Sequence, residues 1–230
     1  MSIAENIAQV RTNIAQACAQ AGRSPEEITL VGASKMNDAA ACREAIAAGI
    51  DALGENRVQE MTAKLADNAY DGAPLHFIGH LQRNKVKQVV GKVALIQSVG
   101  SMELLEEIEK VAAREQLVQD ILLEVNIGRE EAKSGFDPDA VTAAAEAALS
   151  LPHVRVRGLM TIPPADADRD ANMRYFQEVQ ALYVDINTKL FHNELKCLSM
   201  GMSGDYMDAI RCGATMVRVG TAIFGARHYT

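Results

Sequence analysis

The sequence lacks long hydrophobic runs and has no excess of basic residues. No apolar stretch approaches the roughly 20 residues of a membrane span. The N-terminal segment also lacks the continuous apolar core of a signal peptide. The net charge of −7 argues against sequence-independent nucleic-acid binding, which requires a basic surface. We therefore expect a cytoplasmic protein that binds neither membranes nor nucleic acids.

The cysteines are too scattered to indicate a metal site or a disulfide framework. No two of them form a Cys-x-x-Cys pair; they are Cys18, Cys42, Cys197 and Cys212. Reduced thiols in the core are the simplest interpretation. No Gly- or Pro-rich linker, internal repeat or low-complexity segment divides the chain. We expect a single domain, residues 1–230.

Short apolar runs alternate with helical patterns along the chain. The N-terminal segment has apolar residues at helical spacing: Ile3, Ile7, Val10 and Ile14. Eight predicted strands follow, at 28–34, 51–54, 75–79, 94–98, 120–127, 156–161, 196–200 and 215–219. Their apolar residues are continuous rather than alternating, which is typical of a parallel sheet covered on both faces.

Eight strand–helix units in 230 residues predict a (β/α)₈ barrel preceded by an extra N-terminal helix. A doubly wound open sheet is the alternative, but such sheets usually have about five to seven strands. In a barrel, functional residues lie in the loops after the carboxyl ends of the strands. Here those loops are rich in small, polar and basic residues.

The loops after the last two strands resemble each other in composition. SMGMSGDY (199–206) and VGTAIFG (219–225) are glycine- and hydroxyl-rich turns before predicted helices. Backbone N–H groups at such turns favour anions, and these two loops often hold phosphate in barrels of this type. Taken alone, Ser203 is more typical of a helix cap. The two loops together favour a phosphate site. The sequence has no GxxxxGK[ST] or GxGxxG motif, which disfavours nucleoside triphosphates and dinucleotides.

Lys35 follows the first predicted strand directly, at the same end of the barrel. A lysine near a phosphate site suggests an imine with a phosphorylated aldehyde or ketone. That chemistry requires desolvation or a nearby cation to lower the pKa of the amine. The alternative is a lysine whose stem lies along the barrel rim with its amine in water.

Seven motifs run in one order along the chain: SK (34–35), GENRVQE (54–60), HFIGHLQRNK (76–85), KSGF (133–136), RGLMTIP (157–163), LSMGMSGDYMDAI (198–210) and VRVGTAIFGAR (217–227). They resemble the pyridoxal phosphate homeostasis protein family over essentially the whole chain. The resemblance implies a barrel like the N-terminal domain of bacterial alanine racemase. It also implies binding of pyridoxal 5′-phosphate (PLP) as a lysine imine, and buffering or delivery of that cofactor.

The resemblance assigns roles to matching residues. Lys35 would carry the imine, Asn56 would line the ring pocket and Arg218 would face the pyridine nitrogen. The phosphate would be held by Ser199, Ser203, Gly220 and Thr221. Arg218 would leave the pyridine nitrogen unprotonated, because a guanidinium does not give up its proton at neutral pH. The ring would then be a weak electron sink.

Two charged residues near these motifs have open roles. Lys133 is either a second functional lysine or a solvated loop residue. Glu55 is either a general acid or base, or the partner of a cation or a helix cap.

Four further residues receive no role in the site. His80 lies at the barrel mouth without an assigned function, and Leu53 stands where many relatives have phenylalanine, which we interpret as a packing substitution. Arg155 and Arg157 lie at a strand start, away from the site, and are expected to serve stability or surface charge.

We expect a PLP-handling protein without robust amino-acid conversion, either a monomer or a weak dimer, with apo-PLP-dependent enzymes as recipients. A racemase needs a second base, usually a tyrosine from a second domain, and we expect none after the barrel. Tyr206 and Tyr229 are poor substitutes, because one opens a helix and the other lies at the terminus. A small racemase-like enzyme, an aldolase that needs no PLP, and a scaffold without ligand remain alternatives.

Overall fold

The computed structural model describes residues 1–225, and its centre is a closed barrel of eight parallel strands. The strands are β1 (Thr29–Ala33), β2 (Ala52–Glu55), β3 (Leu75–Phe77), β4 (Leu95–Val99), β5 (Gln119–Val125), β6 (Val154–Thr161), β7 (Cys197–Ser199) and β8 (Met216–Val219). Consecutive strands are neighbours, and β8 closes onto β1. The predicted barrel is confirmed, and the open sheet is excluded.

Helices cover the outside of the barrel. They are α1 (Ile3–Ala21), α2 (Ala39–Ala47), α3 (Val58–Ala66), α4 (Met102–Arg114), α5 (Val141–Ala148), α6 (Arg169–Leu190), α7 (Tyr206–Arg211) and α8 (Thr221–Phe224). The predicted N-terminal helix α1 begins with a capping box between Ser2 and Glu5 and ends at Gly22, whose φ is 66°. It packs against α2, α7 and α8.

One connection departs from the strand–helix pattern. After β3 the chain forms a 3₁₀ helix, Arg83–Gln88, in place of an α-helix. This helix and the residues that follow it bury four valines: Val86, Val89, Val90 and Val93. Their branched side chains lower helix propensity, while their burial still covers the barrel.

The inside of the barrel changes from apolar to polar along its strands. Residues two apart on a strand face the same side. The interior apolar cluster includes Leu95, Leu122 and Met216. Two residues further along the same strands come Gln97, Glu124 and Arg218, all buried. The polar interior therefore lies toward the carboxyl ends of the strands.

The described residues show the state of the cysteines and the character of the helices. All four cysteines are free, and Cys18, Cys42 and Cys212 are buried. Within residues 1–225, no helix is long and apolar enough to cross a bilayer. The same residues contain no group of three or more His, Cys, Asp or Glu side chains arranged to hold a metal ion.

Candidate functional site

Lys35 lies in the loop between β1 and α2, partly exposed at the carboxyl end of the barrel. Barrel closure places β1 between β2 and β8, with Ala33 paired to Gly54 and Gly32 paired to Val219. A side chain at Gly220 would lie 3.4 Å from the carbonyl oxygen of Ala33. The loops after β1, β2 and β8 therefore meet around Lys35.

A buried polar group lies beneath this loop. We call it the Glu55 cluster, and its members are Ser34, Glu55, Glu60, Lys64 and Tyr70. The Ser34 hydroxyl, the Lys64 ammonium and the Tyr70 hydroxyl all donate to Glu55 Oε1, at 2.6, 2.7 and 3.0 Å. Glu55 is fully buried, and its Oε2 has no hydrogen-bond partner within the described residues. Glu55 is therefore the partner of a cation, as one of the two sequence interpretations expected.

The electrostatics of the Glu55 cluster follow from its burial. Burial alone would lower the pKa of Lys64, but its bonds to Glu55 and Glu60 outweigh that effect and raise the pKa. Burial, together with the charge of Glu55, raises the pKa of the Tyr70 hydroxyl. Lys64 stays an ammonium and Tyr70 stays a neutral donor. Neither residue was predicted from the sequence, although Lys64 stands four residues after Glu60 on one helix face.

Arg218 is held inside the barrel by a chain of hydrogen bonds. Its Nη1 donates to Ser199 Oγ at 2.6 Å, and the Ser199 hydroxyl donates to Gln97 Oε1 at 2.6 Å. Gln97 Nε2 lies 3.0 Å from His76 Nδ1. Arg218 Nη2 donates to the carbonyl oxygen of Thr161 at 2.9 Å. The chain fixes the plane of the guanidinium from within the barrel.

Burial controls the protonation states of His76 and Arg218, the two ionisable residues in this chain of hydrogen bonds. It lowers the pKa of His76 to about 4, so the imidazole is neutral and its Nδ1 accepts from Gln97. It lowers the pKa of Arg218 to about 10, against the charges of Glu124 and Asp205. Arg218 remains a cation at neutral pH.

Two acidic groups lie close enough to Arg218 to affect its charge. Burial raises the pKa of Glu124, which accepts a hydrogen bond from Ser134 at 3.1 Å. Burial also raises the pKa of Asp205, which accepts from the backbone N–H of Met202 at 2.6 Å. The barrel mouth therefore combines one buried cation with two carboxyl groups whose pKa values burial raises.

The loops after β7 and β8 meet at one oxygen atom. Ser203 Oγ accepts from the backbone N–H groups of Gly220 and Ala222, at 3.1 and 3.3 Å. Ser203 thus bonds to the start of α8 and not to α7, the helix that follows it. Thr221 is the exposed first residue of α8. The structure brings Ser203, Gly220 and Thr221 together, with two amides directed at a single point.

Ser199, by contrast, lies apart from this loop pair. It is fully buried in β7, and its hydroxyl is engaged by Arg218 and Gln97. The predicted phosphate contact of Ser199 stays a prediction. Its observed contacts are those of a residue that orients Arg218.

Asn56 lines a cavity of about 600 Å³ beside the barrel axis, together with Gly79, His80, Glu124 and Lys133. Asn56 Oδ1 is buried and has no hydrogen-bond partner within residues 1–225. A side chain at Gly79 would lie 2.2 Å from the Asn56 carbonyl oxygen, so only glycine fits there. Lys133 is exposed and pairs with Glu130 at 2.6 Å, as the solvated-loop interpretation expects.

Several other singled-out residues lie outside the site. Arg155 pairs with Asp120 at 2.6 Å, at the amino ends of β5 and β6. Arg157 lies 3.6 Å from the same carboxylate. Leu53 is fully buried in the core. The Tyr206 hydroxyl accepts from Asn13 of α1 at 2.8 Å. Tyr229 and part of the last motif lie outside the described residues.

Comparison with known proteins gives relatives over the full length. A model of the alanine racemase N-terminal domain family matches residues 6–228. A pyridoxal phosphate homeostasis protein of Aquifex aeolicus is 42% identical over 229 residues, covering 100% of both chains. One from Pseudomonas aeruginosa is 41% identical over 99% of this chain and 97% of its own. The chain belongs to the pyridoxal phosphate homeostasis protein family.

Solved structures agree with membership of this family. PipY of Synechococcus elongatus PCC7942, solved with PLP bound, is 33% identical and superposes with a TM-score of 0.85 over 97% of this chain and 100% of PipY. A crystal structure of a protein from Bifidobacterium adolescentis gives a TM-score of 0.90 at 37% identity, covering 96% and 94%. Alanine racemase of Clostridium difficile shares the fold alone, at 18% identity and a TM-score of 0.73, with 57% of that chain covered.

Proposed function

We propose that this protein binds PLP at the carboxyl end of its barrel through Lys35, and buffers or delivers the cofactor inside the cell. Apo forms of PLP-dependent enzymes are the proposed recipients, and the proposed location is the cytoplasm. The observation that carries the proposal is the meeting of three loops around Lys35. One contributes the lysine, one contributes Asn56, and one directs the amides of Gly220 and Ala222 at a single point.

The residues present fit a phosphorylated pyridine aldehyde. The Gly220 and Ala222 amides suit a phosphate oxygen, because charge-assisted hydrogen bonds from backbone N–H groups are strong. Asn56 Oδ1 is a buried acceptor that receives no hydrogen bond from the described residues. Arg218 is a fixed cation that can donate a hydrogen bond to a ring nitrogen. Bound PLP supplies an aldehyde carbon with which a lysine amine condenses reversibly, with loss of water.

The polar residues around the site support cofactor handling more than amino-acid conversion. Removal of an α-proton requires a placed base and a strong electron sink. Arg218 remains protonated and therefore leaves a facing ring nitrogen without a proton, which weakens the sink. Tyr206 is bound to Asn13 in the interface with α1. Tyr70 serves as a donor to Glu55. Neither tyrosine is placed as a base at the barrel mouth.

The test of binding is spectroscopic and chemical. Purified protein incubated with PLP should show a yellow imine band that borohydride bleaches, and mass spectrometry should place the reduced adduct on the Lys35 peptide. Lys35→Ala should lose the band and this adduct. Lys133→Ala, which removes an exposed lysine from the same barrel mouth, is the matched control and should keep both. A main adduct on another lysine in wild-type protein would contradict the assignment.

The test against an enzyme measures exchange at the α-carbon. Protein loaded with PLP is incubated with a panel of L-amino acids in D₂O, and deuterium incorporation is followed by NMR. We expect exchange no faster than with free PLP. Exchange at enzyme-like rates that disappears in Lys35→Ala would establish a racemase-like catalyst instead.

A further inference from the structure

The Lys64 ammonium is surrounded by oxygen atoms from three directions. Its Nζ donates to the Ser34 carbonyl oxygen at 2.8 Å, to Glu55 Oε1 at 2.7 Å and to Glu60 Oε1 at 2.8 Å. An ammonium has three hydrogens, so these bonds use all of them. The side chain of Lys64 is 8% exposed, which leaves little access for water. Lys64 is therefore a fixed structural cation that cannot serve as a second amine for an aldehyde.

The acceptors of Lys64 lie on both sides of Lys35 in the chain. The Ser34 carbonyl oxygen belongs to the peptide bond before Lys35. Glu60, the other partner, accepts the backbone N–H of Met36, which belongs to the peptide bond after Lys35. The two peptide groups that flank Lys35 are thus tied to one buried ammonium, one directly and one through Glu60.

The backbone at Met36 requires hydrogen bonds that hold it in place. Met36 has a φ of 63°, in the left-handed region that residues other than glycine and asparagine rarely adopt. The residue is also half exposed, so packing of its own side chain does not hold it there. Two bonds hold it there: the Asn37 N–H closes the turn by donating to the Ser34 carbonyl oxygen at 3.1 Å, and the Met36 N–H itself donates to Glu60. A strained residue directly after a functional one requires such external bonds.

We propose that Lys64 is a positioning residue for Lys35. With Glu60 and Glu55 it holds the two flanking peptide groups, so that the Lys35 side chain leaves the backbone toward the barrel mouth. A buried ion pair is poorly suited to stability alone, because desolvation offsets much of the attraction. The unpartnered Oε2 of Glu55 adds to that cost. The expected effect on PLP capture rests on the proposed function, whereas the hold on the two peptide groups is tested in the apo protein.

Glu60→Ala is the main variant, because Glu60 is partly exposed and its removal leaves the pair of Glu55 with Lys64 in place. Amide exchange of Met36, followed by NMR in the apo protein, should become at least tenfold faster. The rate at which PLP is captured, followed by the imine band well below the melting temperature, should fall at least fivefold. Glu60→Gln retains an oxygen that accepts the Met36 N–H, and should restore most of the capture rate. Lys64→Met should slow capture at least as much as Glu60→Ala.

The matched control is Asp51→Asn, at the amino ends of the same two strands. Asp51 pairs with Arg11 and accepts the N–H of Leu30. This variant should lower the melting temperature without changing Met36 exchange or PLP capture. If Asp51→Asn slows capture as much as Glu60→Ala does, the effect is general destabilisation and positioning is refuted.

The two proposals fail in different ways. Unchanged Met36 exchange in Glu60→Ala overturns the positioning role, whatever PLP does. Faster exchange with an unchanged capture rate also overturns it. Absence of a Lys35 adduct in wild-type protein overturns the proposed function, and the exchange measurement then decides whether the peptide groups are held as described.

Discussion

The two ends of the β1–β2 pair each hold an ion pair, and the two pairs lie in different environments. At the amino end, Arg11 and Asp51 are 36% and 37% exposed, and they bond to the backbone at Gly49 and Leu30. At the carboxyl end, Lys64 and Glu55 are 8% and 0% exposed. The first pair is of the kind that holds strands together at a surface. The second takes two charges out of water beside Lys35.

The same difference recurs around the barrel. The amino ends of β5 and β6 are joined by exposed Arg155 and partly buried Asp120. The carboxyl ends of β4, β7 and β8 bury Gln97, Ser199 and Arg218 in one chain of hydrogen bonds. Buried polar networks are costly when any member lacks a partner. Their concentration at one end therefore marks the end where orientation of side chains matters.

The largest expected difference between the two ends is in stability. Glu55→Gln leaves the buried Lys64 ammonium with a weaker set of partners, and should lower the free energy of unfolding by about 3 kcal/mol or more. Asp51→Asn weakens an exposed pair and one backbone bond, and should lower it by about 1 kcal/mol. Urea unfolding of the two variants gives the comparison directly. Equal losses would mean that burial does not distinguish the two pairs.

The fold could be predicted from the sequence because each strand is a continuous apolar run between turn residues. All eight predicted strands are present, with bounds that differ by no more than two residues. The 3₁₀ helix after β3 was not predicted, because the valines of that segment are apolar enough to suggest a helix while their branching disfavours one.

The site could be predicted only in part. Lys35 and the loops after β7 and β8 were identified by position, since barrel topology dictates where functional residues lie. Lys64 and His76 were missed, because Glu55 and Gln97 lie on other elements and sequence spacing does not show which side chains meet across a barrel. The phosphate contact predicted for Ser199 stays a prediction, and its hydroxyl points to Arg218 and Gln97. Such directions depend on strand stagger, which no local pattern encodes.

The buried histidine should make the carboxyl end sensitive to acid. The pKa of His76 is about 4 in the folded protein and about 6.5 in the unfolded chain. As pH falls below 6.5 the unfolded chain takes up a proton that the folded protein does not, so stability falls until about pH 4. This shift corresponds to about 3 kcal/mol. His76→Gln should remove that share of the pH dependence.

The measurement is urea unfolding of wild type and His76→Gln at several pH values between 4 and 7. His153→Gln is the control at the amino end, where the imidazole is 36% exposed and bonded to Glu109. A His76→Gln curve parallel to that of wild type across this range would show that the buried imidazole does not control acid stability.

Ser199→Ala separates orientation of Arg218 from phosphate binding. Loss of the hydroxyl leaves Arg218 Nη1 and Gln97 Oε1 without this partner, which should lower stability by about 2 kcal/mol. If the hydroxyl acts only on Arg218, affinity for PLP and affinity for pyridoxal should fall by the same factor. Isothermal titration with both compounds decides the point. A loss confined to PLP would instead place Ser199 on the phosphate, as the family resemblance implies.

The smallest effect is expected at the loop pair after β7 and β8. Thr221→Ala should weaken PLP binding by about 1 kcal/mol, the usual contribution of one hydrogen bond, and Ser203→Ala should weaken it by less. Both variants should leave pyridoxal binding almost unchanged. Ser203 at present accepts from the amides of Gly220 and Ala222, so a phosphate oxygen and Ser203 Oγ would compete for the same two donors. Removing the hydroxyl therefore frees those amides while it deletes one donor. Ser203→Ala should lose less affinity than Thr221→Ala for this reason. Titration of both variants with PLP and pyridoxal tests the order, and a PLP affinity equal to that for pyridoxal in wild type would move the phosphate site elsewhere.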